Sequence, residues 1–432
     1  MPTVVADFDA LNMYALANGV VIATQLMTTA VCGMWVDARG VKPALTTGIS
    51  LLIVGLLVAT VSPSIWVFIA GRFIQGLGGG LCVVPLYVLV GRLVPVERQP
   101  SFFAAFSAAW VVPSLIGPLL SGFLVDNVHW RVVFGIAPVL LTIMLGVAMR
   151  MFTMFPHMEF TGTWDRFPLV ATMAMGAGVG ALGLQIVSGL DREKFTVPVG
   201  AATIGIIALT FMCARFLLPA GTLLLRRGIP ATIALRGLLN GAFLTVDIYL
   251  PLLLQRVHGW SPTMAGLTLT VGSITWALGS FAQARITDVS KRPAAMLLGS
   301  LGTLAGLAIA LPVAFAATPG WVALVAWAVG GLGVGLAYPA TSTHALNLTK
   351  PERHGAISSG LNIADTLSLS VMLGLAGIAF ALFGGGGSIS YLGVIGTMCV
   401  VAAFAMYVAT RVRPVGNLTA GGSSDVESGP VE

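Results

Sequence analysis

Charge is what this chain has least of. Only 9% of its 432 residues are Asp, Glu, Lys or Arg, against about 25% in an ordinary soluble domain, which excludes a water-soluble globule. Cysteine is scarce too. Cys32, Cys82, Cys213 and Cys399 all lie inside apolar runs, without the spacing of a metal site or a disulfide framework. They read as buried, inert thiols. The strict alternation of a membrane barrel strand is missing. So is a phosphate-cradling loop: Gly78-Gly79-Gly80 falls within a helical run and no Lys-Ser/Thr follows it. With no nucleophile–base pair and no metal constellation, neither an enzyme nor a cofactor is expected.

What the chain does have is apolar length. Hydrophobic residues make up 57% and the mean hydropathy is +0.95. A helix crosses a bilayer with about 20 apolar residues, and such runs recur at 14–36, 44–62, 66–91, 102–126, 131–149, 168–187, 197–219, 231–255, 262–284, 294–316, 321–346, 355–383 and 389–411. The expected fold is an all-α polytopic membrane protein with about 13 transmembrane helices. An odd number puts the two ends on opposite sides. With Met1 outside, the inner loops hold fifteen of the 22 Lys and Arg and the outer loops four, Arg131, Arg192, Lys194 and Arg256. That is the bias of the positive-inside rule. The net charge of +6 therefore reports orientation in a cell membrane, with a cytoplasmic carboxyl terminus, and no nucleic-acid partner. A monomer is expected. Ala420–Glu432 is polar and reads as a disordered inner tail.

The helix expected over Ala104–Asp126 is unusual. Pro113 and Pro118 each delete a backbone donor and should bend it. Gly117, Ser121 and Gly122 give it a face without bulk, on which a neighbour can pack closely. The chain also repeats itself. Gly76-Leu77-Gly78-Gly79-Gly80-Leu81 is echoed by Gly331-Leu332-Gly333-Val334-Gly335-Leu336, then Pro85 by Pro339 and Glu97-Arg98 by Glu352-Arg353. Upstream, Asp37 with Lys42-Pro43 is echoed by Asp288 with Arg292-Pro293. Repeated halves with a site between them are a common build of secondary transporters.

These residues also resemble a known family. Gly33-Met34-Trp35-Val36-Asp37-Ala38-Arg39-Gly40-Val41-Lys42-Pro43 resembles the loop signature of the major facilitator superfamily. Arg72-Phe73-Ile74-Gln75-Gly76-Leu77-Gly78 resembles its arginine-bearing helix motif, and Pro113–Gly122 the motif of its antiporters. Pro251–Gln255, Gly259-Trp260-Ser261-Pro262 and Ala265-Gly266 look like its fourteen-helix drug:proton antiporter branch. The resemblance implies two pseudo-symmetric helical bundles plus a central helix pair. Residues 1–150 would be the N-terminal bundle, 151–230 a cytoplasmic linker with the central pair, 231–412 a six-helix bundle and 413–432 a cytoplasmic tail. In that branch a helix precedes the segment that Met1–Asp7 matches, so the first helix is missing from this sequence: the start of the protein is expected farther upstream, with a protein that lacks this helix as the alternative. Ala38 and Val41 stand where the loop signature has arginine, and Pro113 where the antiporter motif has glycine.

Charge in mid-membrane costs roughly 2.5–3.5 kcal/mol, so the charged residues inside spans are the candidates for chemistry. On one helix Arg236, Asn240, Asp247 and Pro251 fall within about 60°. This polar stripe reads as the wall of a substrate cavity with a protonatable carboxylate, with a structural helix–helix pair as the alternative. Asp365, with Ser358 and Asn362 on its side, is a second proton carrier or a polar substrate contact, with a helix–helix hydrogen bond as the structural alternative. The resemblance makes Arg72, with Gln75 one turn on, part of proton coupling; from the residues alone it could snorkel to the interface. Tyr14, Asn18, Gln25 and Thr29 share a face and line the same expected substrate cavity as Gln75, Arg236, Asn240 and Asn362, while His344 reads as a packing or capping residue. Gly33, Asp37, Gly40, Pro113, Gly117, Pro118, Gly122 and Asp288 are the expected gating positions. The function expected is a proton-driven exporter of drugs or hydrophobic or cationic metabolites, working in the bilayer by alternating access. An importer or uniporter of a small solute, or a non-transporting relative, are the alternatives.

Overall fold

The computed structural model describes residues 1–95, 98–154, 167–350 and 353–413. Glu97, Glu352, Arg166 and the tail Ala420–Glu432 lie outside the described residues. Among those described there are fifteen α-helices and no strand: α1 Pro2–Asp7, α2 Tyr14–Arg39, α3 Val41–Thr60, α4 Ile65–Gly80, α5 Val83–Leu93, α6 Gln99–Asn127, α7 Trp130–Met154, α8 Phe167–Ser188, α9 Val197–Leu217, α10 Ile229–His258, α11 Pro262–Ala284, α12 Arg292–Ala310, α13 Val322–Asn347, α14 His354–Leu382 and α15 Ser388–Ala409. Twelve segments are long and apolar enough to cross a membrane, one of them, Ile65–Val90, formed by α4 and α5 together. The 29-residue α6 is a further long helix. It continues through Pro113 and Pro118.

Helix ends follow local chemistry. The Ser64 and Ser261 hydroxyls cap α4 and α11 by accepting from the N–H groups of Val67 and Met264. Gly40 alone joins α2 to α3, at φ +90°, a conformation that L side chains avoid. Gly259 ends α10 in the left-handed region.

The sequence repeat is carried into the packing, atom for atom. Gly76 meets Val21 and Thr24 of α2, and its echo Gly331 meets Gly272 and Thr275 of α11. Gly80 meets the carbonyl of Gln25, and Gly335 that of Trp276. Gly78 meets Gly48 O and Leu52 N of α3, and Gly333 meets Gly299 O and Thr303 N of α12. Gly55 faces Gly71 O and Gln75 N, and Gly306 faces Ala326 O and Gly330 N. Thus α2, α3 and α4 pack as α11, α12 and α13 do, with partners advancing in register. Membrane helices gain their affinity from such close contact, because lipid is as apolar as leucine. A Cβ on Gly333 would stand 2.6 Å from the Gly302 carbonyl carbon, and one on Gly78 2.6 Å from the Gly48 carbonyl oxygen. Gly333→Ala and Gly78→Ala should each cost about 1–3 kcal/mol by overpacking. Gly200→Ala on α9, with open space around it, should be neutral or stabilising. Thermal unfolding of the three variants in detergent checks this.

Among the described residues, early helices and late helices are joined by hydrogen bonds and close contacts toward one end. Thr263 gives both its N–H, at 2.9 Å, and its hydroxyl to Asp126. The Thr270 hydroxyl donates to Leu115 O at 3.1 Å and the Tyr14 hydroxyl to Ile248 O at 2.6 Å. Gly122 packs on Pro262 and Thr263, Gly266 on Pro118, and Gly377 on Ala15. These contacts use the starts of α2 and α11 and the later halves of α6, α10 and α14. On the α2–α14 side α8 is wedged in as well. Its buried Gln185 presses on Gly19 and donates to Ser370 Oγ at 3.1 Å.

Candidate functional site

Asp247 lies about 27 Å along α10 from its start at Ile229, well inside the helix at ~1.5 Å per residue. Its Oδ1 accepts from the indole N–H of Trp327 at 2.7 Å. No ion pair reaches it among the described residues. Trp327 is wholly buried and stacked on Phe243, centroids 5.0 Å apart. Phe243 meets Trp276 edge-on at 5.8 Å, and Trp276 meets Tyr338 at 5.5 Å. An aromatic row therefore links Asp247 to a second polar cluster.

That cluster is built on Arg236, one of the four residues of the expected stripe. Its Nε donates to Asp365 Oδ2 at 2.8 Å, its Nη2 to the Tyr338 hydroxyl at 2.6 Å, and its Nη1 to the Ser342 hydroxyl. The guanidinium carbon also lies 3.8 Å from the Tyr338 ring centre. Tyr338 donates in turn to Asp365 Oδ2 at 2.7 Å. Asp365 keeps 8% exposure, and its Oδ1 is buried without a hydrogen-bond partner. The stripe on α10 thus divides. Arg236 turns to α13 and α14, Asn240 is buried, and Asp247 is half-buried beside α13. Asn362 stays exposed although it shares a helix with Asp365.

Arg72 is half-buried. Its Nη1 donates to Gln75 Oε1 at 2.7 Å and its Nε to Ala17 O at 3.4 Å, so it is tied to α2 rather than extended to a surface. Tyr14 reaches the backbone beside Asp247, and Asn18 Nδ2 donates to Tyr14 O at 2.8 Å. Gln25 is half-buried next to Gly79. His344 donates from Nε2 to Val412 O at 3.1 Å, a tie to the chain beyond α15.

The expected gating residues are scattered. Gly122 and Pro118 sit in the α6–α11 contact, Gly40 makes the α2–α3 turn, and Gly33 and Gly117 face open space. Pro113 and Asp37 are exposed. Asp288 caps a short turn before α12, where the Ser290 hydroxyl and then its N–H hold the carboxyl below the usual carboxylate range. Sequence reasoning missed Trp327, Tyr338, Ser342 and Trp276. For Trp327 one signal existed: it stands in the repeat where Arg72 stands, directly after Gly71 or its echo Ala326.

The sequence profile of the Major Facilitator Superfamily matches residues 1–242 and, a second time, 237–429. A probable multidrug-efflux transporter of Mycobacterium tuberculosis is 25% identical over 433 residues, spanning 95% of this chain and 90% of the relative. An efflux pump of Dothistroma septosporum is 23% identical over 359 residues, 78% of this chain and 59% of the pump. Two solved structures share the fold. A proton-dependent oligopeptide transporter is 18% identical with a TM-score of 0.61 over 93% of this chain and 90% of its own. A D-xylose–proton symporter is 15% identical with a TM-score of 0.62 over 94% and 88%. With apolar helices throughout, an internal repeat realised in packing and a family profile matched from end to end, this chain belongs to the Major Facilitator Superfamily.

Proposed function

We propose that this protein exports hydrophobic or cationic small molecules across the cell membrane in exchange for protons, by alternating access. The observation that carries the reading is Asp247, a carboxylate well inside a membrane helix whose bonded partner is a neutral indole. Such a group can take up and release a proton where an ion-paired one is held ionised. It lies beside the contact between early and late helices, since Tyr14 of α2 bonds the carbonyl of the next residue, Ile248. The relatives named as efflux transporters support the direction of transport.

In this scheme residues 1–150 and 231–412 form the two rocking bundles, and 151–230 carries the central pair. The face of Tyr14, Asn18, Gln25, Gln75 and Asn240 lines the substrate path, with Asn362 near its inner end. Arg72 supports coupling from the early bundle. Gly33, Asp37, Gly40 and Asp288 at the helix turns, with Pro113, Gly117, Pro118 and Gly122 on α6, serve the rocking. Among the described residues the hydrogen bonds that join the bundles lie toward the end where α2 begins, which the positive-inside count places outside. Each proton moving inward across 100 mV supplies about 2.3 kcal/mol. For Asp365 the pairing with Arg236 favours the structural alternative.

Reconstitution in vesicles with an imposed pH gradient tests this, with a fluorescent lipophilic cation as probe. Antiport is expected to drive probe uphill against the inward proton flow and to stop on addition of an uncoupler. Co-directional movement of probe and protons would establish a symporter instead, and probe flux indifferent to the gradient a uniporter.

A further inference from the structure

We propose that Trp327 is a positioning residue for proton exchange at Asp247, filling in the late helices the place that Arg72 fills in the early ones. The inference rests on the reading of Asp247 as the proton carrier. The equivalence itself comes from packing. Gly71 O and Gln75 N lie against Gly55 as Ala326 O and Gly330 N lie against Gly306. The residue that follows Gly71 or Ala326 therefore has the same depth and the same helical face in both sets.

At this shared position the two sets carry opposite chemistry. Arg72 is a cation, bonded to a carbonyl and an amide. Trp327 is neutral and carries one donor. Its ring is held on two sides: Phe243 stacks on it with an interplanar angle of 24°, and Gly272 leaves the notch into which its Cδ1 edge fits. The ring cannot turn without displacing Phe243 of α10 or entering the backbone of α11 at Gly272, so the indole N–H stays aimed at Asp247 Oδ1. The other titratable groups near this part of α10 are the phenols of Tyr14 on α2 and Tyr249 on α10, with ring centres 5.2 Å apart, and that of Tyr391 on α15. No charged side chain bonds Asp247 among the described residues. A guanidinium at 327 would hold the carboxylate ionised through the whole cycle. A neutral donor instead fixes which way the carboxyl points and leaves the proton free to come and go.

The test reads the carboxyl directly and needs no knowledge of the cargo. The full chain is reconstituted, and the infrared C=O band of protonated carboxyls is titrated with pH. The component that Asp247→Asn removes belongs to Asp247. In Trp327→Phe, and in a chain carrying a benzothiophene side chain at 327, which keeps the indole shape but has sulfur in place of N–H, the midpoint of that component should rise by about one pH unit or more. That is the size expected when a charged acceptor loses a hydrogen bond. In Trp327→Arg the component should vanish across the neutral range. A midpoint in the benzothiophene chain equal to that of the unmodified protein overturns the proposal, and that chain preserves the packing if Trp327→Phe does not. If Asp247→Asn removes no titrating component, the reading of Asp247 as carrier fails first, which is a separate result.

Discussion

Asp365→Ala should destabilise the protein by about 3–5 kcal/mol, the cost of leaving a buried charge without its partner. Arg236 is 7% exposed and all three of its guanidinium nitrogens are engaged, with Asp365, Tyr338 and Ser342. Removing the carboxylate strands a buried cation that keeps only two hydroxyls. Arg236→Met combined with Asp365→Leu removes both charges and fills the space with apolar atoms, and buried pairs replaced in this way commonly lose little or gain stability. The double variant should therefore unfold near the temperature of the unmodified protein, well above Asp365→Ala. It also separates a structural role of Asp365 from that of a proton carrier. A structural lock among α10, α13 and α14 predicts a double variant that still transports uphill. A second proton carrier predicts one that is folded and uncoupled. Differential scanning fluorimetry in detergent reads the first quantity and the vesicle assay the second.

Asp247→Asn should cut uphill transport at least tenfold while leaving energy-independent exchange of the probe within about twofold. A tenfold loss corresponds to about 1.4 kcal/mol. Asparagine has the shape of aspartate and keeps a carbonyl oxygen for the Trp327 N–H, so the α10–α13 packing has no reason to change. What it lacks is a proton to exchange. Loss of both uphill and downhill movement with normal folding would make Asp247 a substrate contact in place of a carrier. Unchanged uphill transport would remove it from the mechanism.

The glycines show how far the linear sequence reaches. Gly76, Gly78 and Gly80 and their echoes Gly331, Gly333 and Gly335 are visible as a repeat, and a repeat of small residues implies close helix packing. Which neighbour each one touches is decided by helix rotation. Gly76 and Gly80 face α2 while Gly78, between them, faces α3. The polar stripe on α10 has the same limit. Helical periodicity places Arg236 and Asp247 on one side of one helix, but it does not report that α14 supplies a carboxylate to the first and α13 an indole to the second. Asn362 and Asp365, three residues apart, differ in exposure because α10 and α13 cover only one of them.

From the linear chain alone came the membrane class, the approximate placement of the long helices, the internal repeat and the family resemblance. Each of these depends on apolar length, local spacing or motif order, which the order of residues encodes directly. The run expected over 66–91 is divided into α4 and α5, and twelve segments, not thirteen, stand as candidate spans among the described residues. Only the folded molecule decided which buried acid meets a cation and which meets a neutral donor, because such pairings depend on the rotation and depth of helices that are far apart in the chain. That difference between Asp365 and Asp247 is where the mechanism is now most open to experiment.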